Sequence, residues 1–198
     1  MASQIGVPIE RLVVASNHND ILSRTYETGT MSMEPVRPSL SPAMDIQVSS
    51  NFERLLFDLS ERKGRELAEQ FKEFRRSGNW VLNSEVLKTL RTKFIADKAS
   101  DEQVLSTIRQ VHQKTGVLVD PHTAVGISVA ERQPPSSSAM AIMSTAHPAK
   151  FPDAVTEATG SAFNLPPELS SLSSLDERCD FLPNNLNLVM DRVREVTK

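Results

Sequence analysis

The residues of this chain that could do chemistry are few, and most sit where an apolar run ends. Its four histidines are His18, His112, His122 and His147. Zinc needs several such ligands to converge, and neither a His-Glu-x-x-His pattern nor a Cys-His spacing is present. A Ser-His-Asp arrangement stays open by residue type, but the Gly-x-Ser-x-Gly elbow that would expose a nucleophilic serine is absent. Lys150 follows an apolar run. It could bind a phosphate, form a Schiff base or stand in solvent, the usual place for a lone lysine. Phe71-Lys72-Glu73 lies in a charged helical stretch, where Lys72 pairs with Glu69 or Glu73 on a wet face. His112 reads as a surface or packing residue of a helix.

The elements that must position these groups alternate between strand and helix. Arg11 to Ser16 is short, β-branched and apolar, as a buried strand is. Asn17 is expected to cap a helix through about Thr28, with Gly29 as its stop. Residues 30–44, with three prolines, read as an extended loop. Ser50 with Glu53 suggests a capping box for a helix whose Phe52, Leu55, Leu56 and Leu59 share a face.

From Gly64 to Lys114 the pattern is helical: Leu67, Phe71 and Phe74; then Leu87, Leu90 and Phe94 after a Ser84 cap. Ser100 and Gln103 then open a helix carrying Val104, Ile108 and Val111, closed by Gly116. Strand-like runs return at Val117–Val119 and Ala139–Ser144. Pro121 opens a helix to about Arg132, and Pro148 opens one ending at Gly160. Pro166-Pro167 restarts the chain, and Leu186 to Val196 forms a terminal amphipathic helix. The expected organisation is an α/β segment over 1–60, a helical insert over 61–116, and an α/β segment with its terminal helix over 117–198.

In open α/β sheets, ligands bind where strands end and helices begin. Three such junctions each carry a histidine: residues 16–20, 120–123 and 145–150.

Composition narrows the classes. The chain has 198 residues, 39% hydrophobic and 24% charged, the balance of a globular domain rather than a disordered one. With 22 basic against 25 acidic residues it offers no basic excess for nucleic acid. Apolar runs such as Leu12–Ala15 are too short to cross a bilayer. The single Cys179 excludes an internal disulfide. Seven glycines and no Gly-x-Gly-x-x-Gly or Walker pattern make a glycine-rich nucleotide loop an unfavoured reading. With no targeting segment at Met1, the cytoplasm is the expected compartment.

Four stretches go further. Residues 9–22 read IERLVVASNHNDIL, residues 40–57 LSPAMDIQVSSNFERLLF, residues 120–126 DPHTAVG and residues 144–152 STAHPAKFP. In order and spacing they resemble the threonine synthase family, in its longer-chain bacterial and fungal type, from near residue 6 to near residue 190. The resemblance covers the family's C-terminal part only. It implies the second fold type of pyridoxal-phosphate enzymes, similar to the tryptophan synthase β chain, with a helical insert. It also implies the reaction: O-phosphohomoserine and water give threonine and phosphate, a carbon–oxygen lyase step in threonine biosynthesis.

By the same resemblance, Thr145 faces the pyridine nitrogen of pyridoxal phosphate. His147 and Lys150 are candidates for the substrate phosphate or carboxylate, against the alternative that they only shape a turn. Asp45, Ser49, Ser50 and Asn51 are candidates for the substrate side. The family's Schiff-base lysine, in a Phe-Lys-Asp motif, and its Gly-Asn-Phe-Gly phosphate loop belong before this region. Phe71-Lys72-Glu73 and Asn51-Phe52-Glu53 are not these motifs. The implied partner is therefore the N-terminal half, joined or separate. Alone, the chain is expected to be inactive and to expose apolar surface. The competing reading is a stand-alone remnant that acts as a binding or interaction module.

Overall fold

A computed structural model describes residues 2–161, 170 and 174–197. They divide into two units, Met1–Asn164 and Leu165–Lys198.

The first unit is organised by one pair of parallel strands, β1 (Leu12–Ser16) and β4 (Phe94–Lys98), in register from Leu12 opposite Phe94 to Ser16 opposite Lys98. Successive strand residues face opposite sides. Val14, Phe94 and Ala96 accordingly join one apolar core, while Val13 and Ala15 join another. The sheet is the partition between them, which is the α/β arrangement expected of apolar strands covered on both faces.

The chain runs from β1 through α1 (Ile21–Thr28), β2 (Thr30–Ser32), α2 (Ser50–Leu59) and α3 (Gly64–Ser77). It continues through β3 (Asn79–Val81) and α4 (Ser84–Lys93) into β4. Strands β2 and β3 pair antiparallel as a small second sheet. The first core gathers Ile21, Met31, Leu56, Phe71, Phe74 and Leu90, with Phe71 and Phe74 both edge- or tilt-packed on Trp80. Gly29 ends α1 in the left-handed region at φ +80, and a Cβ there would lie 2.7 Å from a Leu87 methyl. No other residue suits both demands as well.

The second core is helical: α5 (Asp101–Thr115), α6 (Pro121–Glu131) and α7 (Pro152–Thr159). The Ser100–Gln103 capping box forms as expected. Helix α6 is buried at seven positions, including Pro121, His122, Thr123 and Val125, so it is enclosed rather than amphipathic.

Several readings of the sequence need correction. The block 61–116 also supplies β3 and β4, because Phe94 opens the strand beside β1 instead of closing a helix. The cap of α2 is Ser49, not Ser50: Ser49 has extended backbone, and its hydroxyl accepts the Phe52 amide at 3.3 Å. Asn83, rather than Ser84, caps α4 through the Glu85 amide. Asn17 does not cap α1, which starts at Ile21. Part of the loop 30–44 is strand β2. Val117–Val119 and Ala139–Ser144 pair with no strand among the described residues, and Met140, Ile142 and Met143 are exposed rather than buried. The helix expected from Pro148 is a 3-10 turn, Pro148–Lys150, followed by α7. Pro166 and Pro167 lie outside the described residues.

In the second unit, Leu186–Val196 forms α8, capped by Asn185, whose side chain accepts the amides of Asn187 and Leu188. Among the described residues no helix is long and apolar enough to cross a membrane.

The crossover from β1 to β4 is closed by charge. Asp20, buried just after β1, pairs with Lys98 at 2.5 Å and Arg24 at 2.9 Å. Burial works against ionisation of Asp20, but hydrogen bonds and charge from Lys98 and Arg24 outweigh it and hold the carboxyl below its ordinary range. The folded pKa is thus lowered. The stabilisation is complete above the unfolded value of about 3.9 and is lost as pH falls through the folded value. Urea midpoints of the wild type and Asp20→Asn should therefore differ most near neutral pH and converge as the pH falls through the lowered folded value. A constant difference across that range would contradict this role.

Candidate functional site

Two of the three expected junctions, residues 16–20 and 120–123, meet around one loop, residues 37–46. Asn17, fully buried at the end of β1, points into it. Its amide nitrogen lies 2.7 Å from Ser39 Oγ, 2.7 Å from Asp45 Oδ1 and 3.0 Å from Ser41 Oγ, and its oxygen accepts the Asn19 amide. Asn19 donates to Asp45 Oδ1 at 2.9 Å and to the Arg37 carbonyl at 2.8 Å. Ser39 donates to the same carboxylate twice, from its hydroxyl to Oδ1 and from its amide to Oδ2. Asp45 is therefore engaged by protein donors on both oxygens. His18 lies at the rim, its Nε2 3.1 Å from the Arg37 carbonyl.

The second junction meets the same loop from α6. Asp120 is fully buried and caps the helix, its Oδ1 accepting the His122 amide at 2.9 Å. The same oxygen lies 2.8 Å from His122 Nδ1, and Oδ2 accepts the Thr123 hydroxyl. Burial opposes ionisation of Asp120, but the hydrogen bonds from His122 and Thr123 prevail and hold its carboxyl below the ordinary range. His122 Nε2 accepts the Ala43 amide at 3.2 Å, and its ring packs on Phe151 with centroids 4.9 Å apart.

The third junction hangs from the second. The Thr145 amide donates to Thr123 Oγ1 at 3.4 Å. His147 precedes the 3-10 turn and accepts the Ala149 amide on Nδ1. Thr145, His147 and Lys150 are exposed along this segment.

Between β1, α1, the 42–46 turn and α2 lies a cavity of about 510 Å³. Its walls are mostly apolar, and Ser16, Asn19, Ser49 and Asn51 are among its polar groups. Tyr26 also lines it, and its buried hydroxyl has no hydrogen-bond partner among the described residues. With no such partner, burial raises the phenol pKa.

The structure thus divides the residues singled out in the sequence. Ser49 and Asn51 line the cavity, Asp45 braces its loop, and Ser50 is exposed on the first turn of α2. Thr145, His147 and Lys150 form a separate exposed segment tied in through Thr123. Lys72 pairs with Glu69 on an exposed helix face, as its setting suggested. His112 is half-buried on α5 and takes no part in the network. Reading the sequence placed Asn17, Asn19, Asp120 and Thr123 in two of the junctions but assigned none of them a site role of its own. For Asp120 a signal existed: an Asp-Pro helix start places a carboxylate over the next two residues, here His122 and Thr123.

Comparison with known proteins agrees with this α/β frame. The family model for the threonine synthase C-terminal region matches residues 123–193. The threonine synthase of Pseudomonas aeruginosa is 44% identical over 188 residues, 94% of this chain and 40% of that protein. That of Saccharomyces cerevisiae is 34% identical and is matched over 98% of this chain and 43% of its own length. The crystal structure of the PLP-bound threonine synthase from Brucella melitensis superposes with a TM-score of 0.85 at 41% identity, covering 98% of this chain and 42% of that one. The fold is therefore the α/β fold of these enzymes over their C-terminal portion. In sequence and structure alike, the chain matches the C-terminal part of the threonine synthase family, spanning about 40% of the length of these relatives.

Proposed function

We propose that this chain is the C-terminal part of a cytoplasmic threonine synthase. Together with the N-terminal part, it would convert O-phosphohomoserine and water into threonine and phosphate, with pyridoxal phosphate as cofactor. The observation that carries this reading is the likeness of nearly the whole chain, in sequence and fold, to threonine synthases.

The residues present suit the ring end of that cofactor. Thr145 is exposed, and its hydroxyl makes no hydrogen bond among the described residues, so it is available to a pyridine nitrogen. None of the cavity-lining residues is a lysine, and the covalent anchor is assigned to the N-terminal part. Bound pyridoxal phosphate supplies an electron-withdrawing ring conjugated to the substrate nitrogen. Thr145 would hold that ring by a hydrogen bond without the full positive charge that a carboxylate partner would favour.

The remaining residues serve the substrate. Lys150 makes no ion pair among the described residues and, with His147, is assigned to the substrate's phosphate or carboxylate. Ser49 and Asn51, in the cavity wall, and Ser50 beside them are assigned to its polar groups. Asp45 contributes by fixing the loop that carries these residues into α2. The reaction removes phosphate from one carbon and adds water at the next. Its proton transfers are assigned to an amine of the N-terminal part and to the leaving phosphate.

Complementation tests the reading. The chain would be mixed with the N-terminal part of the Pseudomonas aeruginosa threonine synthase, and phosphate and threonine measured from O-phosphohomoserine. The mixture with pyridoxal phosphate should form both products in equal amounts, and neither part alone should. A stable complex of the two parts that forms neither product would overturn it.

A further inference from the structure

The network around Asp120 dictates where protons sit. The Ala43 amide can only donate, so His122 Nε2, 3.2 Å away, must present its lone pair. An ionised carboxylate can only accept, so His122 Nδ1, 2.8 Å from Asp120 Oδ1, must carry the proton. His122 is then a neutral imidazole in the Nδ1–H form, set by the bonds of both nitrogens. On the other oxygen, Thr123 donates its hydroxyl proton to Asp120 and keeps a lone pair for the Thr145 amide. One carboxylate thereby orients two side chains, and each holds the backbone of a different site segment. His122 holds the turn at Ala43, which lines the cavity with Ser49, and Thr123 holds Thr145.

We infer that Asp120 is a positioning residue. Through His122 and Thr123 it fixes the cavity turn and Thr145 relative to one helix end. Its relevance to catalysis rests on the reading proposed above, but the geometry does not, and the two are tested separately.

The test is nuclear magnetic resonance of the labelled chain without any ligand. The ring-nitrogen signals of His122 should report the Nδ1–H tautomer, the minor form of free histidine. Asp120→Asn should lower hydrogen-exchange protection at both Ala43 and Thr145, on the order of tenfold for a lost hydrogen bond. Thr123→Val should lower it at Thr145 alone, and Thr123→Ser should restore it. His122→Phe should lower it at Ala43 alone, whereas His122→Gln, whose amide oxygen can replace Nε2, should keep it. An Nε2–H tautomer in the wild type overturns the proposal whatever the variants do. So does equal loss at both amides in the Thr123 and His122 variants, which marks general loosening. Should Asp120→Asn fail to fold, the wild-type tautomer and the two single-branch variants decide. Failure of complementation leaves these outcomes unaffected, so the two readings can fail independently.

Discussion

With the N-terminal part supplied, Thr145→Val should reduce turnover on the order of 10- to 100-fold while the melting transition stays in place. Valine keeps the β-branched shape, and the Thr145 hydroxyl has no partner to lose among the described residues. The backbone bond from the Thr145 amide to Thr123 also survives. What disappears is the one hydroxyl assigned to the pyridine nitrogen, and a buried polar atom left without a partner costs about 1–3 kcal/mol. Titrating pyridoxal phosphate against rate shows where that cost falls. Recovery at high cofactor places it on cofactor binding. A rate that stays low at saturation places it on the chemical steps. Wild-type turnover with unchanged cofactor affinity would remove Thr145 from the cofactor site.

The second large effect is structural. Asn17→Ala should destabilise the first unit by about 2–3 kcal/mol, because it takes a donor from a charged acceptor inside a buried network. Asp45 keeps Asn19 and Ser39, so the fold should survive. The loss should couple to the loop: in a double-mutant cycle, Asp45→Ala should cost less in the Asn17→Ala background than alone. Urea unfolding of the four proteins gives the coupling energy. Strict additivity would show that Asn17 acts by packing alone.

These two residues also show what the sequence reveals. Strand β1, the Gly29 stop, the Ser100–Gln103 box and α8 were legible because each is written in adjacent residues. Asn17 was not, since an asparagine after a strand looks like a helix cap while its partners lie 22 to 28 positions away. Strand β4 was hidden for a related reason. Leu87, Leu90 and Phe94 keep helical spacing across the junction, and only pairing with β1 makes Phe94 a strand residue. Ala139–Ser144 erred the other way: its apolar run suits a strand, but burial requires neighbours that no local pattern specifies.

The site was legible in part. Ser49 and Asn51, which line the cavity, stand in the quoted motifs, and the junction after β1 follows from the alternation of strand and helix. The convergence of the first two junctions on residues 37–46 was not legible, because it depends on polar contacts such as that between Ala43 and His122, 79 positions apart.

That separation bears on how the chain is made. The partner of β1 is encoded roughly 80 residues downstream, and the Asp20–Lys98 pair that closes the crossover spans 78. At ribosomal speeds of about 5–20 residues per second, β1 waits on the order of ten seconds before β4 exists. Val13 and Val14 have neither their sheet partner nor a completed core on either side during that interval. A small, local unit is meanwhile available to α1 and β2, which meet β3 before α4 is made. The antiparallel pair is thus placed to form first. The parallel pair, which carries the polar junction of residues 16–20 at its end, must come late in synthesis, after Phe94 has been added.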